Sequence, residues 1–410
     1  MKPLLLGPFT QILPMTGLPL KGAIKDESLP LVEQGGILVS QGRILQVDSF
    51  KKLYTKDVDL HHIQGKTVCL PGFVDAHTHI CFAGSRSRDY AHRNAGRTYL
   101  EIAAAGGGIW DTVTQTRKAS QEELVEGIVA RSLDHLKNGS TTLEVKSGYG
   151  LSVEEELKML RAIKKAGERT AASLVPTCLA AHMQPRDWNG ARDYLQTIVH
   201  ELFPILLAEK LSHRVDAFVE ESAFSPKEIA PYFQKAKELG FDITVHADQF
   251  TTGGSQTAVE FGALSADHLE ASTEREIRLL AQSDTIATAL PGASLGLGCD
   301  FAPARKILDA GGALAIASDH NPGSAPMGDL LAQASILGSF EKLSNAEVLS
   351  GITHRAAAAL GRSDRGSLKA GNWSDLVLYP TADYREIPYH QGQLKPREVW
   401  KKGVRIHKND

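Results

Sequence analysis

Residues 70–80 read LPGFVDAHTHI, an apolar run closing on two histidines, His77 and His79, that flank a single threonine. In extended backbone, residues i and i+2 point to the same side. Both imidazoles can then face one point, which is what a shared metal ion requires. The run extends back to 67 as TVCLPGFVDAH, and seven others follow it: TTLEVKSG (141–148), AASLVPTCLAAH (171–182), VDAFVE (215–220), DITVHAD (242–248), ALSADHL (263–269), TIATALPG (285–292) and ALAIASDHN (313–321). Charged amphipathic segments lie between them, among them SVEEELKMLRAIKKAGE (152–168) and SPKEIAPYFQKAKELG (225–240). This alternation predicts repeated βα units, with helices covering a parallel sheet.

Eight such runs suit an α/β fold of the (β/α)8, TIM-like barrel type over residues 66–360, with a doubly wound open sheet as the competitor. Polar residues tip the balance. His77, His79, Lys146, His182, Glu220, His246, His268 and Asp319 all stand late in these runs. A barrel gathers its strand ends around one cavity, whereas an open sheet spreads them along an edge. Outside the barrel, GGILVSQGRILQV (35–47) predicts a hairpin turning near Gly42. GSLKAGNWSDLVLYP (366–380) and VWKKGVRIH (399–407) repeat the pattern at the other end. Neither end is long enough for a core alone, so residues 1–65 and 361–410 are expected to pair as a small β-sandwich-like domain.

Composition excludes several classes of function. The 45 basic and 48 acidic residues are mixed along the chain and leave a net charge of -3, so no basic stripe steers it to nucleic acid or an anionic membrane. No run approaches the 18 apolar residues of a membrane span. Cys69, Cys81, Cys178 and Cys299 form no CxxC pair, and the N-terminal run is broken by prolines and a glutamine. Reduced thiols and a cytoplasmic protein are the expectation.

His246 follows DITV and Asp319 follows ALAIAS, in the manner of His77 and His79 after their own run. Three neutral imidazoles and a carboxylate suit one divalent ion, zinc or ferrous iron, with a position left for water; so nitrogen-rich a set disfavours magnesium. A two-metal site needs a further anionic bridge; Lys146, which could be carbamylated, lies on an early strand, and 171–182 offers no lysine. One metal and an ion-paired Lys146 are expected.

The segments PGFVDAHTHICFAGSRSRDY (71–90), EVKSGYGL (144–151), VPTCLAAH (175–182), VHADQF (245–250), LSADHLE (264–270) and ASDHNPGSAP (317–326) resemble the metal-dependent amidohydrolases, and within them the members that open an imidazolone ring. The resemblance spans nearly the whole chain. It implies metal ligation by His77, His79, His246 and Asp319, and substrate contacts from Arg86, Tyr149, His182, Asn321, Gly323 and Ser324. It also places His268 near the reacting carbonyl. The implied reaction is hydrolysis of 4-imidazolone-5-propanoate to N-formimidoyl-L-glutamate. Asp319 is then the expected proton carrier, His268 an oxyanion donor, and the planar fork of Arg86 the clamp for a carboxylate tail. Dimerisation is expected on the resemblance alone.

Gln249 departs from the pattern, because some members place a glutamate three residues after the barrel histidine. Glutamine cannot act as a general base, so Gln249 is assigned to orienting the ring and Asp248 to a structural role. A related cyclic amidohydrolase or a nucleobase deaminase would reuse the metal but bind a neutral base, leaving Arg86 without a task. A noncatalytic metal-binding or interaction scaffold would leave the strand-end residues unexplained.

Overall fold

The run that opens the barrel is two strands in two different sheets. The computed structural model describes residues 2–97, 101, 105–188 and 190–409. In it, Val68–Pro71 pairs with strands from both chain ends, while Phe73–Asp75 begins the barrel. Gly72 is the hinge between them. A side chain there would collide with Thr141 Oγ1, and its N–H donates to Asp375 O at 2.8 Å. A single strand over 67–77 is therefore corrected to two, because the apolar pattern continues through a break that only the close backbone approach reveals.

The barrel strands are β1 (Phe73–Asp75), β2 (Ser140–Lys146), β3 (Ser173–Ala181), β4 (Arg214–Val219), β5 (Asp242–Ala247), β6 (Ser265–His268), β7 (Ile286–Ala289) and β8 (Leu314–Ile316). Each pairs in parallel with the next. Beyond β8 the backbone returns to β1: Thr78 and His320 form a parallel bridge, Asp319 N–H donates to His77 O at 3.0 Å and His79 N–H to His320 O at 2.9 Å. This closure brings the first and last strand ends side by side, as a shared site requires.

The amphipathic segments form helices where their caps allow. The Ser152 side chain accepts the Glu155 N–H at the start of Val153–Gly167, and Ser225 with Glu228 makes a capping box before Pro226–Glu238. Outward-facing residues such as Leu143, Val145, Val215, Ala217, Ile243 and Val245 bury against these helices in the main apolar core.

The two chain ends form one mixed eight-stranded sheet. Its path runs Val404–Lys408, Glu398–Lys401, Leu376–Tyr379, Val68–Pro71, Leu4–Ile12, Val32–Ser40 and Arg43–Ser49, with Asp59–His62 alongside Leu4–Ile12. Gln41 and Gly42 both take positive φ, 50° and 75°, which a two-residue hairpin turn demands.

Candidate active site

Four donor atoms converge where β1, β5 and β8 end. His77 Nε2 lies 3.2 Å from His79 Nε2, which lies 3.3 Å from His246 Nε2. Asp319 Oδ1 is 3.5 Å from the first and 3.4 Å from the second. Four ligands at about 2.0–2.1 Å around a tetrahedral ion sit roughly 3.3–3.4 Å apart, so the spacing fits a small divalent cation. Burial, reinforced by Lys146 and the neighbouring rings, holds His77 and His79 well below the usual imidazole pKa. Burial likewise brings His246 to about 4. All three rings are thus neutral, the state that ligates metal.

Carboxylates behind the rings fix their orientation. His77 Nδ1 meets Asp267 Oδ2 at 2.7 Å and His246 Nδ1 meets Asp216 Oδ2 at 2.9 Å, so both rings present Nε2 to the centre. Lys146 lies beneath, 2.8 Å from both Glu144 Oε2 and Asp216 Oδ2, fully buried. Its ammonium is already committed to two carboxylates, and it acts as an ion-paired support. Asp216, Asp267 and Glu144 were not singled out from the sequence. Their signal was available: an acidic residue within an apolar strand must find a partner when buried.

The last turn of β6 and the segment after β8 leave ordinary backbone geometry. His268 has φ 88°, Leu269 78° and Asp319 53°, so side chains that strand alternation would send elsewhere are redirected. His77, His246 and His268 all have ligand-type atoms within 4.8 Å of one another. Burial alone would lower the His268 pKa, but Glu270, whose Oε1 is 3.5 Å from Nδ1, and then Asp319 raise it above the ordinary value. When protonated, His268 directs Nδ1 at Glu270 and has its Nε2–H left to donate. Asp319 is pushed up to about 6 by burial, partly offset by His268 and Asn321.

Asn321 serves its own loop. Its Nδ2 donates to Asp319 O at 2.7 Å and Oδ2 at 2.9 Å, and its Oδ1 accepts the N–H groups of Gly323 and Ser324 at 2.7 and 2.8 Å. Its amide is thereby occupied in setting Asp319 and the turn. Arg86 Nε binds Asp89 Oδ2 at 2.9 Å, leaving its terminal nitrogens over Gly323, where any side chain would collide with Nη1. Arg86, Asn321 and Gly323 line a 410 Å³ cavity with Phe82, Tyr90 and His320.

Tyr149 and His182 are 5.5 Å apart between ring centroids, with His182 stacked on His79 at 5.4 Å. His182 Nδ1 faces Gly148 O at 2.9 Å; a carbonyl only accepts, so the neutral ring leaves Nε2 as a bare acceptor. The SGYG loop, which looks flexible in sequence, is clamped: buried Glu156 accepts the N–H groups of Gly148, Gly150 and Leu151 at 3.0, 2.8 and 2.8 Å. Asp248 is structural, accepting from Gly253 N, Ser255 N and Ser272 Oγ around the start of Gly254–Phe261. Glu220 holds the neighbouring loop through Phe250 N at 2.9 Å. Gln249 is half-buried beside them, its amide not engaged by another described residue.

A closed parallel barrel with a histidine-rich centre at its strand ends defines a hydrolase of the amidohydrolase class. The amidohydrolase family model matches residues 68–406. Proteins named imidazolonepropionase are similar over most of their length: that of Symbiobacterium thermophilum is 40% identical over 96% of this chain and 94% of its own, and that of Bdellovibrio bacteriovorus 39% over 93% and 91%. That of Myxococcus xanthus is 45% identical over 81% and 80%. The chain belongs to the imidazolonepropionase family of amidohydrolases. Among solved structures, zinc-bound atrazine chlorohydrolase of Arthrobacter aurescens aligns with TM-score 0.71 at 16% identity, over 99% of this chain and 95% of that one. A zinc-bound adenosine deaminase of Xanthomonas campestris aligns with TM-score 0.71 at 19% identity, over 98% and 92%. At those identities the likeness is one of fold.

Proposed function

We propose that the chain hydrolyses 4-imidazolone-5-propanoate to N-formimidoyl-L-glutamate, the ring-opening step of histidine degradation, at the centre formed by His77, His79, His246 and Asp319. The observation that carries this reading is the convergence of those four donors beside an arginine whose fork is only half used. The four residues would hold one divalent ion, zinc or ferrous iron. When bound, such an ion polarises a carbonyl oxygen and brings the pKa of water to about 7.

The remaining chemistry belongs to side chains. Asp319 takes a proton from the attacking water and returns it to the leaving ring nitrogen. His268 donates its N–H to the oxygen on which negative charge develops. Arg86 and the Tyr149 hydroxyl, kept protonated by burial, bind the propanoate carboxylate. His182, through its bare Nε2, accepts from a ring N–H, and Gln249 orients the ring. Among the described residues no helix is long and apolar enough to cross a membrane.

Turnover of freshly prepared imidazolonepropanoate, with the product identified by mass, tests the reading. Formation of the formimidoyl amino acid is expected, with activity lost to a chelator and regained with zinc or ferrous iron. Arg86→Glu should retain metal while KM rises at least about thirtyfold, the loss of a charged hydrogen bond of ~2 kcal/mol. Unchanged KM in that variant would sink the carboxylate clamp.

A further inference from the structure

A second pair of histidines runs back from the site and has no part in the chemistry above, although one of them, His320, also lines the Arg86 cavity. His320 follows Asp319, and its Nδ1 lies 2.9 Å from Nε2 of His135, a buried residue on the outer helix Gln121–Lys137. On the far side of that ring, His135 Nδ1 faces Asp75 Oδ2 at 3.5 Å, and neither atom has another partner among the described residues. The other oxygen of Asp75 accepts the N–H of Ser318 at 2.9 Å. Ser318 Oγ in turn accepts the N–H of His320 at 3.2 Å. The contacts make a loop: Ser318 to Asp75, Asp75 to His135, His135 to His320, and His320 back along the chain through Asp319.

Asp319 is the residue enclosed by that loop. It sits at φ 53°, in the left-handed region that few non-glycine residues occupy. Its own N–H is tied to His77 O at 3.0 Å, and the carbonyl after it receives His79 N–H at 2.9 Å. The residues on both sides of it are thus anchored to β1, one directly and one through the outer helix.

We propose that His135 and His320 are positioning residues, which with Asp75 bracket Asp319 and fix the direction of its carboxylate. The inference rests on the role given to Asp319 above. His135 touches none of the four donors, so it acts through His320 and Asp75.

The test uses His135→Leu, His135→Gln, His320→Ala and the double variant His135→Leu/His320→Ala in the metal-loaded protein. Outer partners of this kind are worth about tenfold to a hundredfold. His135→Leu should lower kcat for imidazolonepropanoate about tenfold with KM within a factor of two, and should speed metal loss to a chelator by a similar factor. His135→Gln, which keeps a donor and an acceptor, should recover most of both. The double variant should be no worse than His135→Leu, because the two rings act as one unit.

If His135→Leu folds poorly, the His320→Ala and His135→Gln comparison carries the test, His320 being only half-buried. Wild-type kcat and metal retention in His320→Ala, multiplicative effects in the double variant, or equal losses in Gln and Leu that track melting temperature would each overturn the bracket. Those outcomes leave the reaction assignment standing. That assignment fails separately, if wild-type protein opens no imidazolonepropanoate or if Asp319→Asn turns over normally.

Discussion

Asp216, on β4, and Asp319, past β8, are both buried aspartates that approach a site histidine, yet their surroundings push them in opposite directions. Burial raises both. At Asp216 the His246 ring and the Lys146 ammonium outweigh it and hold the carboxyl far below the usual range. At Asp319 no cation is in contact; Asn321 and His268 offset burial only in part, and the group rests at about 6. In the metal-free protein the first is a permanent charge that fixes a ring, and the second holds its proton more tightly than an ordinary carboxyl. One barrel rim thus supplies two carboxylates with different work, separated by whether a lysine stands beneath them.

Substituting each by asparagine should break that symmetry most visibly in turnover. Asp319→Asn removes a donor to the metal and the proton carrier together, and kcat should fall on the order of 10³–10⁴-fold. Asp216→Asn leaves the four donors in place and loosens the His246 ring from behind, so metal retention and kcat should fall together by about tenfold to a hundredfold. Steady-state kinetics with metal content measured on the same samples separates the two. A loss at Asp216 equal to that at Asp319 would mean that Asp216 takes part in proton transfer, and the division of labour would be wrong.

The sequence makes some of this legible and hides the rest for physical reasons. His77, His79, His246 and Asp319 can be read because each ends an apolar run, and a polar residue there has nowhere to point except the mouth of the barrel. The eight runs and the paired chain ends follow from the same periodicity. What periodicity cannot show is the partner. Asp216 and Asp267 lie inside runs read only as strands, and their importance appears once the closed barrel puts Asp216 behind the His246 ring and Asp267 behind the His77 ring. Gly72 is hidden for a similar reason: the break it makes depends on Thr141 in the neighbouring strand. Asn321 was assigned to substrate by resemblance, whereas its four hydrogen-bonding positions are taken up by its own turn.

The smallest effect is also the one in which the two aspartates should differ in sign. In metal-free protein, Asp319 is raised from 3.8 unfolded to about 6 folded. The folded state therefore binds its proton more tightly. That contribution to stability is fully present below about pH 4 and is lost as pH rises through 6. Two units correspond to at most about 3 kcal/mol, and burying an amide in place of the acid returns part of it. Asp319→Asn should accordingly stabilise the metal-free protein by roughly 1–2 kcal/mol at pH 8 and have little effect at pH 4. Asp216→Asn should destabilise it at pH 8, since a depressed carboxylate contributes stability above its unfolded pKa and Lys146 then keeps only Glu144 in close contact. Denaturant melts of both chelated variants at the two pH values make the comparison. Destabilisation by both at pH 8 would show that Asp319 is held by contacts as strong as those of Asp216, which its surroundings in the fold do not supply.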